Sequence, residues 1–162
     1  MNGAAWRNRW VVVLTLALAM FLTILPMPVG AESLRPQWVA LTIIFWCLTR
    51  PGRVGVFWAF GVGLALDVLV GSLLGQQALG LSVVAYVTVI LHTRIRLFPL
   101  WQQSLFVWVL LLVERLLTLW VLGATGQPLP TLTYWLPTFV GLLLWPWLFA
   151  VLSAIEHRFG AR

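Results

Sequence analysis

Six apolar runs separated by short polar breaks make up the chain, at about 10–25, 37–49, 54–70, 77–93, 99–122 and 133–155. About 20 apolar residues in a helix cross a bilayer core, so the pattern predicts six transmembrane helices, the second run being the shortest. The breaks "PMPVGAESLRP", "TRPGRVG", "GSLLGQ", "HTRIRLFP" and "GATGQPLPTLT" supply the prolines and glycines that end helices. Pro99 suits the first turn of the fifth helix, where its missing N–H costs nothing. Pro146 falls inside the sixth run and predicts a kink there. Its neighbours Trp145 and Trp147 read as a packing surface rather than a ligand cage. There is no internal repeat, low-complexity tract or coiled-coil heptad.

Composition turns this pattern into a class. With 62% hydrophobic and 9% charged residues and a mean hydropathy of +1.00, the chain lies far from the balance of a soluble domain. Residues 1–162 are expected to form one all-α polytopic membrane domain. A net charge of +6 would suggest nucleic acid in a soluble protein, but the ten cations are arginines scattered between apolar runs, so they report topology and no nucleic-acid partner is expected. With six spans and the N-terminus inside, Arg7, Arg9, Arg50, Arg53, Arg94, Arg96, Arg158 and Arg162 fall in the cytoplasm, and Arg35 alone falls outside. Both termini are therefore expected to be cytoplasmic.

Of the eleven tryptophans, Trp10, Trp38, Trp101, Trp120 and Trp135 lie near predicted helix ends, where an indole anchors in the headgroup region. A cleavable leader is the other reading of the first run, since "VGA" before Glu32 resembles a cleavage site. The length of the run and the prolines after it favour a retained helix.

Chemistry is sparse. No zinc-protease motif, nucleophile elbow or Walker lysine occurs, and the chain has no lysine at all. The single Cys47 reads as packing. His92 and His157 sit at helix ends, where a cation complements the dipole. No catalytic, cofactor or metal residues are therefore assigned. More informative are Asp67, about 20 Å from the cytoplasmic edge by helical rise, and Glu114 and Arg115, at about 22 and 24 Å.

All three belong to the periplasmic half, where a charge needs a partner or a wet cavity. An Asp67–Arg115 pair, a proton or ion relay, and a docking point for a foreign helix are the alternatives. Ala59, Gly63, Asp67, Gly71 and Gly75 recur every four residues and line one narrow stripe, fit for close helix packing or partner binding. The Gly71–Gly75 pair fits equally a chain-reversing turn. Gln76 and Gln77 then either cap exposed backbone or join Asp67, Glu114 and Arg115 around a pocket.

Four pieces in order, "RPQW", "PGRVGV", "GLALDVLVGSLLGQQALG" and "RLFPLWQQ", resemble the rod shape-determining MreD family across nearly the whole chain. The resemblance implies a non-enzymatic, multi-pass protein of the bacterial inner membrane in the machinery for lateral peptidoglycan synthesis and cell shape. The partners it implies are MreC, most directly, then RodA with its penicillin-binding transpeptidase, and MreB. It also implies a fold similar to the substrate-binding subunits of energy-coupling-factor transporters.

On this reading the small-residue stripe would hold MreC. The loop arginines Arg50, Arg53, Arg94 and Arg96 either retain topology or meet membrane lipid headgroups and cytoplasmic partners. The rival is a transporter subunit binding a small molecule, with Asp67, Gln76, Gln77, Glu114 and Arg115 around a periplasmic pocket.

Overall fold

A computed structural model describes residues 3–160, with side chains from Arg9 to Phe159; Arg162 and the side chain of Arg7 lie outside the described residues. The elements are α1 (Gly3–Ile24), α2 (Trp38–Thr49), α3 (Val56–Val70), α4 (Gln76–Ile95), α5 (Leu100–Ala124) and α6 (Leu136–Gly160), with 3-10 turns at Glu32–Leu34 and Leu132–Trp135. Each apolar run has become one helix, and α2 to α5 start and stop within two residues of the expected bounds. Helices α4, α5 and α6 are long and apolar enough to cross a membrane, while the apolar stretches Arg9–Ile24 and Val56–Val70 are shorter.

The shortest helix is the innermost. At 12 residues, α2 is about 18 Å long, well under the ~30 Å of a hydrocarbon core. Every residue from Val39 to Leu48 is buried, and α1, α4, α5 and α6 pack around it. A helix that is apolar all round is stable only when enclosed, and α2 has no polar face to turn outward. The outer helices carry the exposed apolar surface, as at Phe57, 93% exposed, and Trp147, 74% exposed.

Polar side chains in this interior close on themselves. Thr42, Thr49, Ser82, Thr88 and Ser104 each donate to the carbonyl four residues back, the usual way for a hydroxyl in an apolar helix to avoid an unmet bond. Trp46 Nε1 donates to Thr15 Oγ1 at 2.9 Å. Trp145, fully buried, donates to Gln103 Oε1 at 3.0 Å. The proline between Trp145 and Trp147 does not end α6, which runs through Pro146, and the two indoles go to opposite environments, core and surface. Among the expected anchors, Trp10, Trp101 and Trp120 are exposed, whereas Trp38 and Trp135 are half-buried.

The helices alternate in direction, so the bundle has two distinct ends. One gathers Arg9, Arg50 and Arg53 around one recess and Arg50, Arg96, Glu156 and His157 around another, with Arg50 Nε 3.0 Å from Glu156 Oε1. The opposite end holds the α3–α4 turn, the start of α2 and the last turns of α5. Helices α3 and α4 meet closely: a Cβ on Gly63 would lie 2.4 Å from the Ala78 Cα. Ala59, Gly63 and Asp67 are buried along this seam. At Gly63 the stripe expected to serve helix packing or a partner thus meets α4 of the same chain.

Candidate functional site: a polar cavity beside a capped turn

Asp67, in the last turn of α3, is fully buried and holds the following turn together. Its Oδ1 accepts from Ser72 Oγ at 2.7 Å and Gln77 N at 2.9 Å, and its Oδ2 from Gly75 N at 2.8 Å. Gly75 and Gln77 begin α4, so the carboxylate satisfies N–H groups that a helix start leaves orphaned and places negative charge at the positive end of the dipole. Gly71 closes α3 with φ 78° and Gly75 opens α4 with φ 97°, conformations that glycine adopts without steric cost. The Gly71–Gly75 spacing therefore belongs to the turn and not to a helix–helix interface. Asp67 is not paired with Arg115: its acceptors face the turn, and no ion pair joins the two among the described residues.

Next to this turn lies a cavity of about 460 Å³, walled by the Glu32–Leu34 turn, the start of α2, α5 and the Leu132–Trp135 turn. That volume is in the range of small-molecule sites. Its floor is Glu114, only 4% exposed. Gln37, just before α2, donates Nε2 to Glu114 Oε2, and Thr118 Oγ1 donates to the Glu114 backbone oxygen at 3.1 Å. One wall is Arg115, whose guanidinium stacks 4.5 Å from the Tyr134 ring centroid in a cation–π contact. Tyr134 OH returns a bond to the Arg115 carbonyl at 3.3 Å. Arg35 reaches across from the opposite loop and donates to Thr23 O and Leu25 O, both at 2.6 Å, covering the last carbonyls of α1.

Three buried polar atoms on these walls make no hydrogen bond within the protein: Gln37 Oε1, Arg35 Nε and Arg115 Nε. The side chains that carry them, Arg35, Gln37 and Arg115, line the cavity beside apolar surface from Val39, Leu66 and Leu81. No group of three His, Cys, Asp or Glu able to hold a metal occurs among the described residues.

The five residues expected to share a pocket divide. Gln77, Glu114 and Arg115 line the cavity. Gln76, by contrast, faces a groove with Phe60, Leu79 and Val121, while Asp67 is sealed in the turn. Of the loop arginines, Arg50, Arg53 and Arg96 line recesses at the far end of the bundle, and Arg94 is exposed in the last turn of α4. Sequence reasoning missed Gln37, Thr118 and Tyr134. Arg35 carried one signal, as the lone cation on the predicted outer side.

A profile described as rod shape-determining protein MreD matches residues 6–155. The curated rod shape-determining protein MreD of Haemophilus influenzae is 33% identical over 151 residues, covering 93% of each chain. No solved structure matches.

Proposed function

The chain belongs to the MreD family of rod shape-determining proteins, and from that premise we propose that it is a non-enzymatic scaffold of the bacterial inner membrane that binds MreC. Through MreC it would help organise lateral peptidoglycan synthesis with RodA, its penicillin-binding transpeptidase and MreB. The observation that carries this reading is the family match, which extends over parts of all six helices. In this reading all six helices span the membrane, with the arginine-rich end in the cytoplasm and the cavity facing the periplasm. Helix α2 can do so despite its length because irregular backbone at membrane depth is tolerated where other helices enclose it.

With α4 lying on the Ala59–Gly63–Asp67 seam, the transmembrane helix of MreC is assigned to the remaining lateral faces. The outer side of α3 at Phe57 and Val68 and the outer side of α5 at Leu116 and Trp120 are the exposed candidates. The test is co-purification of MreC with the chain from detergent, with photo-crosslinkers at these four positions. MreC should co-purify and crosslink to one of the two faces. A folded, inserted chain that neither retains nor crosslinks MreC would overturn the proposal.

The cavity favours a second reading, a small-molecule-binding subunit with a fold similar to those of energy-coupling-factor transporters. Reconstituted uptake of a labelled ligand would support it. Ligand binding without uptake would count against a transport role.

A further inference from the structure

We propose that the cavity beside Glu114 is a binding site for a compact zwitterion, one that carries a carboxylate or phosphate and, a few bonds away, an ammonium or amide N–H. The inference shares with the transporter reading only the assumption that the cavity holds a ligand; it requires no transport and is independent of MreC.

The complementarity follows from what the walls leave unmet. Arg115 lies nine residues before the end of α5, about 13 Å in from that end, and makes no ion pair among the described residues. Its guanidinium rests on the Tyr134 ring, which steadies a cation but supplies no acceptor for Nε. Arg115 is half-buried, and a cation inside a membrane-spanning bundle is costly unless an anion or water meets it. Glu114, its chain neighbour, makes no ion pair with it among the described residues; its carboxylate accepts from Gln37 and Thr118 and packs against Gly80, whose Cβ position would lie 3.0 Å from Glu114 Cγ.

An anionic oxygen from a ligand would fill the place that Glu114 does not. Arg35, whose Nε is unmet, lines the same cavity from the facing loop. Gln37 presents the opposite demand. Its amide nitrogen is committed to Glu114, which turns Oε1 to the other side as a buried acceptor without a donor. An N–H placed there also approaches the Glu114 carboxylate, so a positive charge on it is favoured. A plain anion would satisfy only the arginines, and a plain cation only the Gln37–Glu114 side.

The same chemistry has two sources: the phosphoethanolamine headgroup of a membrane lipid, or a free amino acid or short peptide. The test uses the purified full-length chain. Native mass spectrometry after exchange into an equimolar mixture of phosphatidylethanolamine and phosphatidylglycerol reads the lipid arm, and calorimetric titration with alanylalanine reads the soluble arm. Selective retention of phosphatidylethanolamine, or saturable binding of alanylalanine, is the expected result, and which occurs identifies the source. Arg115→Gln should weaken the binding arm at least about tenfold, the loss of a charge-assisted contact.

Thr133→Trp, at an exposed position on the cavity rim, should do the same by blocking the mouth and decides the question if the Arg115 variant fails to fold. Absence of binding in both arms, equal retention of the two lipids with no dipeptide binding, or binding unchanged in Thr133→Trp overturns the proposal. MreC co-purification with Thr133→Trp, measured in parallel, reports on the scaffold reading separately.

Discussion

Two buried carboxylates at the same end of the bundle, Asp67 at 0% and Glu114 at 4% exposure, have been put to different uses. Asp67 receives three donors, all from the turn that follows it, and every one lies within ten residues along the chain. Glu114 receives Thr118 from its own helix and a side-chain amide 77 residues away, and stands on the floor of a cavity whose other polar groups are only partly satisfied. A carboxylate saturated by its own turn is an architectural element. One that shares its site with unmet donors and acceptors is a recognition element. Burial and charge alone do not separate the two; the origin of the hydrogen bonds does.

The largest effect tests the architectural side. Gly63→Leu places a side chain where even a Cβ would be 2.4 Å from backbone, and neither helix can yield without breaking the α3–α4 seam. Loss of about 3 kcal/mol or more is expected, visible as aggregation on gel filtration in detergent. A monodisperse Gly63→Leu protein with wild-type melting would show that the seam is looser than its geometry. Asp67→Ala ranks next. It strips the acceptor from two backbone N–H groups and one hydroxyl, at about 2–4 kcal/mol in total, read by thermal unfolding.

Much of this was legible in the chain, for identifiable reasons. Helices α2 to α5 were bounded closely because apolar runs end at proline and glycine clusters such as "TRPGRVG" and "GSLLGQ". Hydropathy could not reveal that α2 is the central helix, because a residue facing lipid and one facing the bundle interior have the same apolar character. Depth counting placed Asp67 at the same end as Glu114 and Arg115, but depth along a helix says nothing about direction around it. Asp67 looks into its own turn and Glu114 toward Gln37.

The four-residue spacing of small residues was equally informative and equally incomplete: it marked a close contact without naming the helix that makes it. Gln37, Thr118 and Tyr134 come from three separate elements, and only the tertiary fold brings them to one cavity.

A smaller effect addresses the recognition side. Glu114→Gln keeps the shape of the side chain and an oxygen to accept from Gln37 Nε2. The change should alter stability by less than about 1 kcal/mol. Asp67→Asn, chemically the same substitution, should cost more, because an amide has one oxygen for donors that now reach two, and its N–H₂ would face N–H groups. The contrast is measured by unfolding the two variants side by side. Equal losses would mean that Glu114 is as architectural as Asp67.

The smallest expected effect is an energy of interaction near zero. If Asp67 and Arg115 formed a buried ion pair, removing either would leave the other charge uncompensated, and the double variant would cost much less than the sum of the singles. The hydrogen bonds point elsewhere: Asp67 binds Ser72, Gly75 and Gln77, Arg115 stacks on Tyr134, and the two share none of these partners. Asp67→Asn and Arg115→Gln should therefore add to within about 0.5 kcal/mol in a double-mutant cycle. Coupling well above that would require the turn and the cavity to act as one electrostatic unit, and the separation between an architectural and a recognition carboxylate would no longer hold.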